Sequence, residues 1–201
     1  MALNDKQIRA ALLKRLQTYK DSKIYEEFVL PSSKARADVV VVNGHFTGYE
    51  IKSDVDSLQR LPSQIKEYDI YLEKNYIVVG QKFASKVHEY VPEHWGIIVA
   101  TEKNDSVSLE FRRPAKQNPH WSFNEFIFFL PANDLKYITK EIPRFQKRFS
   151  RTAIQGMIKQ NIIAMINEES SKIEQKQITK ITRSIFKGCD VRTLYKGGVL
   201  L

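Results

Sequence analysis

Apolar residues in the first hundred positions follow two different spacings. Between residues 4 and 19, Ile8, Ala11, Leu12, Leu16 and Tyr19 recur three and four apart. That lines one face of an amphipathic helix, with Asn4 or Asp5 as its cap. Ala37-Asp38-Val39-Val40-Val41-Val42 is a β-branched run that predicts a buried strand. Asn43-Gly44 is a tight-turn signal, so residues 37–52 read as a hairpin. Leu58, Leu61, Ile65, Tyr68 and Leu72 predict a helix over 57–72, with Pro62 in its first turn or interrupting it. Tyr76 to Gly80 predicts a second buried strand, 81–90 a helix, and the apolar run ending at Ala100 a third strand.

Beyond residue 100 the pattern loosens. Residues 101–112 fit a short hairpin and 113–122 a loop with two prolines. Phe123 to Leu130 is aromatic and fits a strand or a buried helix. Residues 150–168 and 169–187 each predict a helix, with caps among Ser170, Ser171 and Lys187-Gly188. Strands interspersed with helices imply a mixed α/β sheet with helices on its faces, followed by a basic, mainly helical C-terminal extension. The domain division this implies is a core over 1–130 and an extension over 131–201.

With 201 residues, 42% hydrophobic and 27% charged, the chain is of globular composition, which excludes disorder and collagen. No apolar run approaches the roughly 18 residues that span a bilayer. MALNDKQIRA lacks the apolar stretch of a secretory signal, and Cys189 alone makes no internal disulfide. The expectation is a soluble protein of a reducing compartment, the cytoplasm of a bacterium or phage-infected cell, with no membrane partner. Net charge is +9, and residues 101–201 hold 18 basic against 10 acidic side chains. Such a surface attracts a polyanion by releasing its counterions, so DNA is the first partner to consider, with RNA left open.

The chemistry concentrates in Asp38 and, twelve residues on, Glu50-Ile51-Lys52. Alternation along a strand puts Glu50 and Lys52 on one face and Ile51 on the other. The turn at Asn43-Gly44 brings Asp38 back beside them. Two carboxylates and an ammonium group then converge among apolar strands, which is costly unless they pair or hold a cation. Hard oxygen ligands suit Mg²⁺ or Mn²⁺, and such an ion stabilises charge developing on a phosphate, with Lys52 beside it. The bland reading is a solvated strand face with a cross-strand ion pair.

Asp38 … Glu50-Ile51-Lys52 resembles the active-site signature of the PD-(D/E)XK nuclease superfamily, whose fold is restriction-endonuclease-like. Gln64 and Tyr68, at i and i+4, resemble the Gln-x-x-x-Tyr element that several branches carry on the following helix. Glu26-Glu27 stands where the superfamily often sets an acidic residue on its first helix, with Glu27 the favoured of the two. The wider run from Arg36-Ala37-Asp38 to Arg60-Leu61 and Gln64 is similar to a small bacterial and phage branch, over roughly residues 5–100. The one departure is Ala37 in place of the signature proline.

The resemblance implies a Mg²⁺- or Mn²⁺-dependent deoxyribonuclease, with Asp38, Glu50 and the Ile51 carbonyl on the ion. Lys52 would orient water or stabilise the transition state, Glu27 and Gln64 would assist, and Tyr68 would support the helix or substrate. A role in DNA repair or in defence against phage would follow. The alternative is a silent nuclease-like fold that binds DNA or protein, and a homodimer or protein partner is left open.

Other features read both ways. Arg36 contacts phosphate or pairs with a carboxylate. Asp54 and Asp56 support the charged residues from behind or, on better grounds, cap the helix near Ser57. Lys140, Arg144, Lys147, Arg148 and Arg151, interleaved with Phe145 and Phe149, form a DNA-backbone contact or a solvated basic helix face. Lys180, Arg183, Lys187, Arg192 and Lys196 read the same way. No pair of histidines has zinc-ligand spacing.

Overall fold

A computed structural model describes residues 2–196 with 199 and 200; at 195, 196, 199 and 200 it describes the backbone only. The side chain of Lys196 therefore lies outside the described residues. The chain divides into two compact units, Met1–Trp121 and Ser122–Leu201. The boundary expected at 130/131 falls inside the second.

The first unit is mixed α/β. Helix α1 (Asp5–Leu16) opens with a capping box in which the Asn4 side chain accepts from the Gln7 amide and Gln7 returns the bond. Strands β1 (Lys23–Val29), β2 (Arg36–Val42) and β3 (Phe46–Lys52) follow, then α2 (Leu61–Tyr71), β4 (Lys74–Gly80), β5 (Gly96–Lys103) and β6 (Ser106–Arg113). They form one sheet in sequence order, β1 to β6. Pairing is antiparallel from β1 to β3, parallel from β3 to β5, and antiparallel again at β6.

Both faces of the sheet are covered. On one, Ile8, Leu12 and Leu16 of α1 pack with Val39, Val41, Tyr49, Ile51, Val78 and Ile98. Each fully buried aliphatic chain there contributes about 1.5–3 kcal/mol relative to exposure. On the other, Tyr68 of α2 lies 5.5 Å from Trp95, ring to ring, and is fully buried. All seven residues of β3 are buried, because it is central and helices cover both its sides.

The hairpin between β2 and β3 turns at Asn43-Gly44, where Gly44 takes φ +118°, a conformation glycine adopts freely. Pro62 sits in the first turn of α2, where its missing N–H costs nothing. The 101–112 hairpin is the β5–β6 pair, turning through Asn104 and Asp105, both left-handed. The helix expected over 81–90 is absent: two short 3₁₀ turns, Gln81–Phe83 and Val87–Glu89, bury Phe83 and Val87 instead.

The second unit is helical: α3 (Phe123–Phe126), α4 (Ala132–Glu141), α5 (Pro143–Arg148), α6 (Arg151–Gly156), α7 (Lys159–Glu169), α8 (Lys172–Phe186) and α9 (Val191–Leu194). A short pair, β7 (Tyr195–Lys196) and β8 (Val199–Leu200), follows. Phe123 to Leu130 is thus helix, completed by a 3₁₀ turn over Ile127–Phe129. The single helix expected over 150–168 is two, broken after Gly156, the poorest helix former of that run. Helix α8 starts on a Ser171–Glu174 capping box and ends at Gly188, φ +100°.

Candidate functional site

Asp38 near the start of β2 and Glu50 and Lys52 at the end of β3 come together where the β2–β3 hairpin opens. They line an open cleft of about 360 Å³ with Arg36, Arg60 and Gln64. This is the carboxyl end of β3, the place where open sheets with parallel strands leave a crevice. The grouping expected from alternation and the Asn43-Gly44 turn is therefore assembled.

Every carboxylate oxygen in the group has a donor. Asp38 Oδ2 accepts the Ile51 amide at 2.7 Å, and Oδ1 lies 3.1 Å from the Arg9 guanidinium. Glu50 Oε1 accepts from Lys52 Nζ at 2.5 Å and from the Gln64 amide nitrogen. Glu50 Oε2 accepts the Tyr68 hydroxyl at 2.6 Å. Tyr68 in turn accepts from the Asp38 backbone, so one phenol ties α2 to both strands. The Gln64 Oε1 atom is buried without a hydrogen-bond partner.

Burial sets the electrostatics. Glu50 is 1% exposed, and desolvation, reinforced by the charge of Asp38, raises its pKa despite Lys52 and Tyr68. Desolvation raises Asp38 as well, against the Ile51 amide and Arg9. The Tyr68 hydroxyl is pushed well up by burial and by Glu50. Each of these buried carboxylates is offset by one adjacent cation, Asp38 by Arg9 and Glu50 by Lys52.

Arg9, on α1, is the residue that sequence reasoning missed. Its guanidinium reaches Asp5 at 3.1 Å, Glu27 at 3.0 Å and Asp38 at 3.1 Å. Burial works against its charge, but Asp5 and Asp38 outweigh it and hold it firmly protonated. The only advance signal was the Asp5–Arg9 spacing of four, ordinary for a helix surface.

Two expectations need correction, those for Glu27 and for Asp54 with Asp56, while Arg36 takes the carboxylate partner that was one of its two readings. Glu27 lies on β1 rather than on the first helix, with φ +51°, and bridges Arg9 and Arg36. Arg36, at 2.6 Å from Glu27, lines the cleft as one half of an ion pair. Asp54 and Asp56 do not cap α2, whose cap position is Arg60 without a side-chain bond. Asp54 accepts the Leu3 and Lys82 amides, and Asp56 accepts the backbone amide and the hydroxyl of Ser53.

Lys147, Arg148 and Arg151 belong to the second unit. Arg148 pairs with Glu169 and Arg151 lies 3.6 Å from Glu141, so part of that charge is spoken for. Phe145 is buried in the helical core, whereas Phe149 is only half-buried. His94 is buried on Asp69 at 3.0 Å.

As to a metal, no group of three or more histidine, cysteine or acidic side chains is assembled among the described residues. The residues lining the cleft that could offer hard oxygens include Asp38, Glu50, Ile51 and Gln64, whose Oε1 is unpartnered, together with Asp5, Asp56 and Ser63. No helix among the described residues is long and apolar enough to cross a membrane.

Fold and site together define a mixed α/β protein with a charged, ion-paired cleft at the end of its central strand. Residues 1–193 match the family described as Bacteriophage P4 protein cII, and the chain belongs to that family. A curated relative, Protein cII of Enterobacteria phage P4, is 34% identical over 141 residues, 67% of this chain and 52% of that protein. The chain thus spans about half the length of the relative. No solved structure matches.

This membership overturns the assignment to the PD-(D/E)XK nuclease superfamily. The metal-dependent deoxyribonuclease activity, and the roles in repair or defence that hung on it, go with the assignment. The physical reason is the brevity of the signature. Asp…Glu-x-Lys also arises where charges at a sheet end neutralise one another, as Arg9 does Asp38 and Lys52 does Glu50.

Proposed function

We propose that this chain is a DNA-binding protein that takes a backbone phosphate into the cleft at the end of β3, with no hydrolysis implied. The supporting observation is the cleft's composition: buried, reluctantly charged carboxylates beside Lys52 and Arg60. A phosphate among these groups needs compensating cations. Mg²⁺ or Mn²⁺ is proposed to supply it, held by Asp38, Glu50 and the Ile51 carbonyl. The orphan Gln64 Oε1 supports this reading, since a water on such an ion would give it the donor it lacks. We also infer that the first unit keeps a restriction-endonuclease-like arrangement, supported by its run of antiparallel, parallel and antiparallel pairings, without that family's activity.

The test is fluorescence anisotropy with a labelled duplex, with and without Mn²⁺, on wild type, Arg60→Ala and Glu50→Ala. The expected result is that Mn²⁺ tightens binding in wild type, that Glu50→Ala abolishes the effect, and that Arg60→Ala weakens binding. Wild-type binding indifferent to both the ion and Arg60 would remove the cleft from the DNA contact. No binding at all would end the DNA reading.

A further inference from the structure

The second unit has a cleft of its own, of about 190 Å³, lined by Lys140, Gln146, Phe149, Ser150, Arg151 and Ile154. It forms because α5 stops at Arg148, Phe149 continues in extended conformation (φ −128°, ψ 135°), and α6 restarts at Arg151. Phe145, one turn earlier, is 1% exposed and serves the core. Phe149 is not consumed that way, and its ring borders the opening. Arg148, which does not line the cleft, sits over the ring at 5.7 Å from its centroid and is tied to Glu169, so one face of the ring carries a cation.

Two cations line the cleft with Phe149. Lys140 is bonded only to neutral Gln155, and Arg151, with its side chain 70% exposed, is 3.6 Å from Glu141, loose enough to turn to another anion. Gln146 gives its amide N–H to the Lys140 carbonyl at 2.6 Å and keeps its side-chain oxygen as an acceptor. A volume below the roughly 300 Å³ of drug-sized pockets fits one planar ring rather than a large ligand. An aromatic face with cations beside it and an amide at its edge matches a nucleobase with its phosphates. In a duplex both faces of each base are already stacked, so only an unpaired base is free to enter.

We propose that this cleft is a stacking site for an unpaired base of single-stranded nucleic acid, with Phe149 as the platform and Lys140 and Arg151 on the flanking phosphates. The proposal rests on the nucleic-acid reading above and specifies the form of strand recognised by a different unit of the chain.

The experiment compares a labelled single-stranded oligonucleotide, the same oligonucleotide with abasic sites, and the corresponding duplex, by anisotropy on the full chain. Phe149→Leu keeps apolar volume without a π face, and Phe149→Trp restores one. Phe149→Leu is expected to lose about 5- to 150-fold on the single strand while duplex affinity is unchanged. Abasic strands should bind wild type as weakly as the intact strand binds the variant. Phe149→Trp should regain affinity, and its fluorescence should be quenched on binding, above the constant signal of Trp95 and Trp121.

Equal single-strand affinity in wild type and Phe149→Leu, or equal binding of abasic and intact strands, overturns the proposal while leaving the cleft at β3 untouched. If wild type binds duplex but no single strand, the proposal fails alone. If it binds neither, the DNA reading fails and this proposal with it.

Discussion

Glu50 is a carboxylate with almost no water around it, and its neighbours decide whether that is tolerable. Removing its cation is the sharpest perturbation: Lys52→Met should cost about 3–5 kcal/mol at pH 7, because it leaves a buried charge unpaired. Urea unfolding would show it, and the deficit should shrink on acidification as Glu50 takes up a proton. Asp38 gives the complementary case. Its native pKa is raised, so between its ordinary and native values the folded state binds more protons than the unfolded one. Its contribution is therefore favourable below that window and lost as pH rises through it. Asp38→Asn keeps an acceptor for the Ile51 amide and leaves Arg9 with Asp5 and Glu27. The variant should raise the urea midpoint at pH 7, with the gain fading towards the acid side of the window. A lower midpoint at pH 7 would mean that Arg9 depends on Asp38 more than Asp38 suffers from burial.

At the scale of elements, close approach matters more than charge. Gly96 opens β5, and a Cβ there would lie 2.1 Å from Tyr76 Cε1 and 2.8 Å from the Ala115 amide nitrogen. Tyr76 cannot simply swing away, because it stacks on Tyr49 at 5.1 Å. Gly96→Ala should destabilise by about 1–3 kcal/mol or more, seen as a lower melting temperature, whereas Gly156→Ala, with open space around it, should not. The strands β2, β4 and β5 are legible in the sequence because buried strands are written in runs of valine and isoleucine. The meeting of Asp38, Glu50 and Lys52 is legible for a related reason, since period-two alternation and one Asn-Gly turn determine it. Arg9 is not legible, because its reach across 29 residues to Asp38 depends on how α1 lies against the sheet. Residues 81–90 and 150–168 mislead because apolar spacing says which side is buried but not whether the backbone stays helical between. Glu27 misleads because the resemblance placed it on a helix, where the chain in fact forms β1.

For the molecule as a whole, the charge is unequally divided. Residues 1–121 hold 18 basic and 16 acidic side chains, net +2, while residues 122–201 hold 14 and 7, net +7. In the first unit basic groups meet carboxylates in pairs, as at Arg9, Arg36 and Lys52. In the second, α8 exposes Lys172, Lys176 and Lys180 at a spacing of four, about 6 Å per step along one helix face. Counterion release follows the number of phosphates neutralised, so the proposed DNA binding would draw its salt-dependent part from the second unit and its cation-dependent part from the cleft. Replacing Lys172, Lys176 and Lys180 together by glutamine should lower the slope of log affinity against log salt by up to about 3 and leave the Mn²⁺ effect intact. Glu50→Ala should do the reverse, removing the Mn²⁺ effect with the salt slope unchanged. Anisotropy titrations at several salt concentrations separate the two. If instead the lysine variant and the cleft variant shift both quantities alike, the two units share one contact with DNA, and the division of labour argued from their charges is wrong.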